Sequence, residues 1–303
     1  MVKLIIKEKF PMKKIIAIVM ALAMVFSLAL VFTSCTDNAA TGEESSTEAD
    51  AANITAKEGV LVMATNAAFP PYEFVEGGEY AGIDVEIAGK IAEKLGMTLE
   101  IKDVDFGAII GGVQTGKFDM GMAGMTVTEK RLQSVNFSTT YATGIQSVIV
   151  SEDSEYTSFE DFYTGFDADG NPSGVKEGIK IGVQQDTTGD IYSSSDAVEW
   201  GFGEDNVVRY KTGADAVQAL KSGKVQAVII DNEPAKSFVA ANEGLKILDG
   251  EYTNEEYAIC IAKDNTALLT AVNNALAELE ADGTIDAIIA KYIPATEDAS
   301  AAA

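Results

Sequence analysis

The chain has 303 residues, room for two domains at about 150 residues each, and its 47% hydrophobic content is enough to build real cores. It contains no histidine, which removes histidine-based metal sites, HExxH zinc chemistry, Ser-His-Asp triads and Cys-His dyads together. With 47 acids against 22 bases the net charge is -25, which repels phosphate backbones and argues against a nucleic-acid partner.

Residues 15–32, IIAIVMALAMVFSLALVF, form an unbroken apolar run behind Lys13 and Lys14. That is a signal-peptide pattern, with a membrane anchor as its alternative, since about 18 apolar residues just span a bilayer. The run ends in Thr33-Ser34-Cys35, which resembles a bacterial lipobox in which Cys35 is diacylated, although Phe32 stands where Leu is usual. Residues 1–34 therefore read as a lipoprotein signal peptide, and the Glu8 and Pro11 ahead of Met12 point to translation from Met12. Residues 36–55 are small and acidic, with Ile54 the one large apolar side chain, and together with Cys35 they read as a disordered tether. Such an acidic chain disfavours a polybasic membrane contact, which leaves lipid as the attachment.

From Val60 onward short apolar runs alternate with amphipathic stretches. LVMAT (61–65) reads as a strand, DVEIAGKIAEKLG (84–96) as a helix with Val85, Ala88, Ile91, Ala92 and Leu95 on one face, FGAIIGGVQTG (106–116) as a helix and FDMGMAGM (118–125) as a strand. Residues 151–178, rich in Ser, Glu, Asp and Gly, read as a surface loop or insertion. The rhythm restarts with IKIGV (179–183), VVRY (207–210), AVQALKSG (216–223), VQAVIID (225–231), LKIL (245–248) and YAICIA (257–262). A long helix follows over 266–283, and the TEDASAAA tail over 295–303 reads as disordered. The whole is a two-unit α/β fold.

Three motifs look chemical and are discounted. GGVQTGKF (111–118) begins like a P-loop, but Phe118 replaces the magnesium-binding hydroxyl and Gly116 reads as a helix C-cap. Asp167, Asp169 and Asn171 begin like a calcium loop, but Pro172 replaces its glycine and Gly178 its final Glu. Cys260 lies in an apolar run and reads as a small buried hydrophobe. A Ser-Lys dyad stays open without a pattern to support it. No metal, cofactor or catalytic group is expected.

The segments that do carry chemistry lie where strands end, the place α/β sheets present ligand sites. ATNAAFPPYEF (64–74) brings Phe69 and Tyr72, MAGMTVTEKR (122–131) brings Gly124, Thr126 and Arg131, and AVIIDNEPA (227–235) brings Asp231. An Arg can hold a carboxylate bidentately and an acid can hold an ammonium, so the pair suits a zwitterion. Alone, Arg131 also reads as a solvated helix-start charge, Asp231 as a helix N-cap, and Phe69 and Phe106 as core aromatics.

These runs, with GIDVEIA (82–88), IGVQQDTTG (181–189) and LAELEADGTIDAIIAKY (276–292), resemble the bacterial family 3 extracellular solute-binding proteins, the amino-acid receptors of ABC importers, over about residues 56–293. The resemblance implies a periplasmic-binding-protein-like type II fold, two α/β lobes joined by a two-strand hinge. Lobe 1 would comprise 56–142 plus 252–294 and lobe 2 143–251, with hinges near 141–146 and 251–257. It implies that Arg131 clamps the ligand carboxylate with backbone amides of Thr126 and Thr188. Asp231 takes the ammonium, helped by Gly124 and Thr126. Phe69 and Phe106 pack the ligand side chain, and Asn66 and Gln184 vary with specificity.

Asn66 stands where many relatives have Asp, and Gln184 is also neutral, so the expected ligand is a free polar L-amino acid, neutral rather than cationic. Lys130 leaves acidic ligands open. The expected partners are a membrane permease and, through Cys35, the membrane itself, for a monomeric extracytoplasmic lipoprotein. The competing function is a cyclohexadienyl-dehydratase-like enzyme on the same fold, for which Glu73 and Glu233 are the candidate acid/base groups. A ligand-sensing domain of a signalling protein is a third reading, weakened because no second span or effector domain follows Pro294.

Overall fold

The computed structural model describes residues 54–250 and 253–294, so the signal-peptide, Cys35 and tail assignments lie outside the described residues. Ile54, assigned above to the tether, belongs to the body. It is half-buried against the apolar core, and its carbonyl accepts a hydrogen bond from Asn265 Nδ2 at 2.8 Å.

Strand β1 (Val60–Thr65) leads through a small antiparallel meander of β2 (Ala68–Phe69), β3 (Glu73–Glu76) and β4 (Glu79–Ala81) into helix α1 (Ile83–Lys94). Strand β5 (Thr98–Asp103), α2 (Ile109–Gln114), β6 (Met120–Gly121), α3 (Glu129–Leu132) and β7 (Val135–Phe137) follow. The ten-residue β8 (Ala142–Ser151) then crosses to a second sheet. There the chain forms β9 (Tyr163–Phe166), β10 (Pro172–Val175), β11 (Ile181–Gln184), α4 (Thr188–Ser194), β12 (Val207–Tyr210), α5 (Gly213–Lys221), β13 (Ala227–Asp231), α6 (Asn232–Ala241) and β14 (Leu245–Ile247). Strand β15 (Asn254–Tyr257) returns it to β16 (Cys260–Ala262), α7 (Thr266–Ala281) and α8 (Thr284–Tyr292).

The first sheet has the order β5-β1-β6-β16-β7 and the second β12-β11-β13-β8-β14, with β15 also paired to β8. Strand β1 is buried from Leu61 to Thr65 on both faces, as a central parallel strand must be. Its Val62 N–H and the Ala56 N–H both donate to the Asp119 carboxylate, each at 2.8 Å, which fixes where the sheet begins. Strand β8 joins the sheets: Ala142–Ile145 pairs antiparallel with β15 and Gln146–Ile149 with β13. Two neighbouring extended strands therefore connect the α/β units.

Helix α1 buries Ile83, Ile87, Ala88, Ile91 and Ala92, while Val85 and Leu95 of the expected face are only half-buried. That rotation carries Asp84 into the interior. The strand expected over 118–125 contracts to Met120–Gly121, because the chain turns at Gly124, whose φ of +50° is a left-handed conformation suited to glycine. Residues 151–178 are more than a loop. A 3-10 turn over Phe159–Phe162 and the β9–β10 hairpin bury Phe162 and Tyr163 against Phe202, with Tyr156 stacked on Phe162 at 4.4 Å. The glycine-rich helix of the discounted P-loop ends at Gly116 with φ +70°, and Gly112 leaves space for the buried Phe118 ring. Asp167 spends one carboxylate oxygen on the N–H groups of Asp169 and Asn171, each at 2.9 Å, closing the hairpin turn. Cys260 is fully buried in β16, where burial pushes its thiol up to about 12.

Candidate functional site

Residues at or just after the C-terminal ends of β1, β11 and β13 line one small cavity of about 10 Å³. Asn66, Phe69, Phe106, Gly124, Thr126 and Arg131 line this cavity from the first lobe, and Gln184, Thr188 and Asp231 from the second. All nine sequence-derived site residues thus meet in one place. Glu73, Ala123 and Thr187 complete the lining. The cavity's volume is about the space one water needs, so an amino acid fits only in a more open arrangement of the same residues.

Arg131 sits in the short α3, whose start is capped by the Thr128 hydroxyl accepting from the Arg131 N–H at 3.2 Å. Its side chain is only 7% exposed. One terminal nitrogen donates to the Thr126 carbonyl at 2.7 Å and the other to the Asp186 carbonyl of the second lobe at 3.0 Å, while the guanidinium lies 5.2 Å from the Phe106 ring centre. Burial lowers its pKa, and Glu255 and Asp231 oppose that. The planar fork is therefore pre-oriented before any anion is considered.

Asp231 ends β13 and occupies the N-cap position of α6, yet its side chain makes no cap bond. The carboxylate turns instead into the interior, accepting from Gln146 Nε2 at 2.7 Å and from the Tyr257 hydroxyl. Burial, then the neighbouring Glu255, pushes its pKa well above the usual carboxylate range. Two amides of the lining also meet: Gln184 Nε2 donates to Asn66 Oδ1 at 2.9 Å, and Asn66 Nδ2 donates to the Val104 carbonyl at 2.8 Å. Gln184 Oε1 is buried without a hydrogen-bond partner among the described residues. Lys211 Nζ to Asp105 at 3.0 Å adds a further contact between the lobes at the rim.

Beneath the floor, Asp84 Oδ2 accepts from the Gly124 N–H at 2.8 Å and from the Tyr141 hydroxyl at 2.9 Å. The Glu73 carboxyl is a buried neighbour of Asp84, and burial, then that neighbour, raises it well above normal. Burial likewise lifts Asp84 to about 7, against the lowering effect of its hydrogen bonds. A carboxyl whose folded pKa is raised stabilises the fold below its unfolded value near 3.8, and that contribution is lost as pH rises through about 7. Melting of the wild type relative to Asp84→Asn is therefore expected to worsen steadily from pH 4 to pH 8. A constant difference across that range would contradict the assignment.

The profile of the bacterial extracellular solute-binding proteins, family 3, matches residues 61–295. The chain belongs to this family. The arginine-binding extracellular protein ArtP of Bacillus subtilis is 30% identical over 77% of this chain and 85% of its own length. Among solved structures, a mutant of ArgBP from T. maritima is 36% identical with a TM-score of 0.67, over 77% of this chain and 95% of that one. An ancestral arginine-binding protein bound to glutamine is 36% identical with a TM-score of 0.68, over 78% and 98%. The fold of this family 3 protein is accordingly the type II periplasmic-binding-protein fold, and solute binding is its function.

Sequence reasoning missed the polar group behind Asp231. Gln146 on β8 and Glu255 and Tyr257 on β15 form it, and Gln146 Nε2 also donates to Glu255 at 2.9 Å. The signal was alternation: in Asn254–Tyr257 the second and fourth residues are buried, so Glu255 shares a face with Tyr257. Glu233, an acid/base candidate above, lies outside the cavity lining and pairs with Lys236 at 2.7 Å.

Proposed function

We propose that this family 3 protein is the extracytoplasmic receptor of an amino-acid ABC importer, binding one free polar L-amino acid between its lobes. The observation that carries the reading is a buried cation, Arg131, and a buried acid, Asp231, in the lining of one cavity. Arg131, with the Thr126 and Thr188 amides, holds the α-carboxylate, and Asp231 with the Gly124 carbonyl and Thr126 hydroxyl holds the α-ammonium. Phe69 and Phe106 pack the ligand's carbon chain.

The Asn66–Gln184 amide pair offers an unpartnered acceptor, Gln184 Oε1, to the far end of the ligand. An amide N–H of the ligand satisfies it and a carboxylate does not, so a neutral polar side chain is favoured, with glutamine first. A cationic side chain is the second reading, favoured by the similarity to arginine-binding proteins. Lobe 1 spans residues 56–142 and 252–294, lobe 2 spans 143–251, and the hinges near 141–146 and 251–257 close them. A monomer tethered through lipidated Cys35 then passes the ligand to its permease. No catalytic step is assigned: of the two acid/base candidates only Glu73 reaches the lining, and Glu233 lies elsewhere.

Thermal unfolding of residues 54–303, refolded to strip ligand, tests this against the twenty amino acids, cystine and ornithine. A ligand at 100 times its Kd adds about 2.7 kcal/mol to stability. A shift confined to a few polar amino acids is expected. No shift with any, together with turnover of prephenate or arogenate, would move the dehydratase reading to the front.

A further inference from the structure

Asp231 and Glu255 are 4% and 2% exposed, and one nitrogen, Gln146 Nε2, donates to both carboxyl groups, at 2.7 and 2.9 Å. The shared donor makes the two carboxyls neighbours in the interior, and burial with Glu255 beside it raises Asp231 well above the usual carboxylate range. Their surroundings hold little compensating charge. Tyr257 donates to Asp231 from β15, Tyr192 of α4 stands beside Glu255, and Tyr72 meets Tyr257 edge-on at 5.1 Å. Glu73, Asp84 and Glu233 are further acids in the neighbourhood. Arg131 of α3 is the cation that faces the pair, and it reaches neither carboxylate within 4.0 Å among the described residues. Two buried carboxyls held on one amide donor, without a salt bridge among the described residues, do not both carry charge.

We propose that Asp231 and Glu255 hold one proton between them and that Glu255 is a positioning residue that makes ligand capture release this proton. The proposal rests on Asp231 as the ammonium site. The pair carries one negative charge before binding. When the ligand's ammonium docks on Asp231, its positive charge takes over the role of the shared proton, which passes to bulk water and leaves both carboxylates ionised around the cation. Glu255 acts through Asp231 and Gln146 and does not line the cavity itself. Its position follows from the hinge: Glu255 lies opposite Gly144 in the β8–β15 ladder, and a Cβ at Gly144 would come within 2.0 Å of the Tyr257 hydroxyl that reaches Asp231. The proton thus sits on the strands that connect the lobes.

Infrared difference spectra of the ligand-free protein at neutral pH, wild type minus Glu255→Gln, test the shared proton without any ligand. A carbonyl band of a protonated carboxyl is expected in the wild type and missing from the variant, with Asp231→Asn as the second variant if the first fails to fold. Absence of the band overturns the proposal. L-Glutamine, or the amino acid that raises the melting temperature most, is then added. The band is expected to fade as calorimetry in buffers of different ionisation enthalpy records release of up to one proton, and Glu255→Gln is expected to bind without releasing any. A band that survives in a protein whose melting temperature has risen overturns the coupling. A protein whose melting temperature no amino acid raises sinks the receptor reading, and with it the coupling, while the ligand-free band still reports the shared proton separately.

Discussion

Arg131→Ala is expected to weaken amino-acid binding by roughly 30-fold to several thousandfold, the consequence of about 2–5 kcal/mol lost when one partner of a buried, hydrogen-bonded charge pair is truncated. The side chain lines the cavity, and its fork is held by the Thr126 and Asp186 carbonyls rather than by an acid, so its charge is free to meet an incoming anion. Arg131→Lys is expected to recover little, because an ammonium cannot span both carbonyls and a carboxylate in one plane. Calorimetric titration separates this from misfolding when the ligand-free melting temperature is recorded alongside. A variant that binds within threefold of wild type would remove Arg131 from the site.

The largest stability effect is expected at Gly82→Ala. Gly82 precedes α1 with φ +123°, and a Cβ there would lie 2.2 Å from the Tyr72 carbonyl oxygen and 2.9 Å from that of Pro71. Those carbonyls accept the first N–H groups of the helix, from Asp84 at 2.9 Å and Ile83 at 3.1 Å. The obstacle is backbone, so no rotamer change relieves it. Strain and overpacking together cost about 3 kcal/mol or more, a fall in melting temperature on the order of 10 °C for a protein of this size. Gly78→Ala is the control: φ is +90° there too, but nothing lies within 4 Å of its Cβ. Equal melting temperatures for the two variants would refute the steric account. Since this loop also carries Phe69 and Glu73, binding is expected to fall with it.

Phe69, Gly124, Thr126, Arg131 and Asp231 were legible because they follow strand-like apolar runs, and strand ends present side chains to a common edge. Asn66, Phe106, Gln184 and Thr188 came only from the family resemblance; the cavity lining brings all nine together. The burial of acids was not legible. Asp84 and Glu255 look like surface letters in helix and strand, and only the tertiary fold supplies the donors, Gly124, Tyr141 and Gln146, that let them stay inside. The same limit explains residues 151–178. Their glycines and acids dominate the composition, while the aromatic side chains that order them find Trp200 and Phe202 only after the chain has made β11 and α4. The contraction of β6 has a local cause: Gly124 turns the backbone and Asp84 takes its N–H.

The order β5-β1-β6-β16-β7 also bears on how the chain assembles. β6 and β7 share no ladder; β16 lies between them and is synthesised only after every strand of the second sheet. Strands β8 to β14 are contiguous and can pair as they emerge, as can β5, β1 and β6, whereas β7 waits for a segment near the far end of the polypeptide. Closing so long a loop is slow. The last strand to arrive is therefore the one that ties β7 to the rest of its sheet, so the first sheet is completed only once β16 enters the gap between β6 and β7.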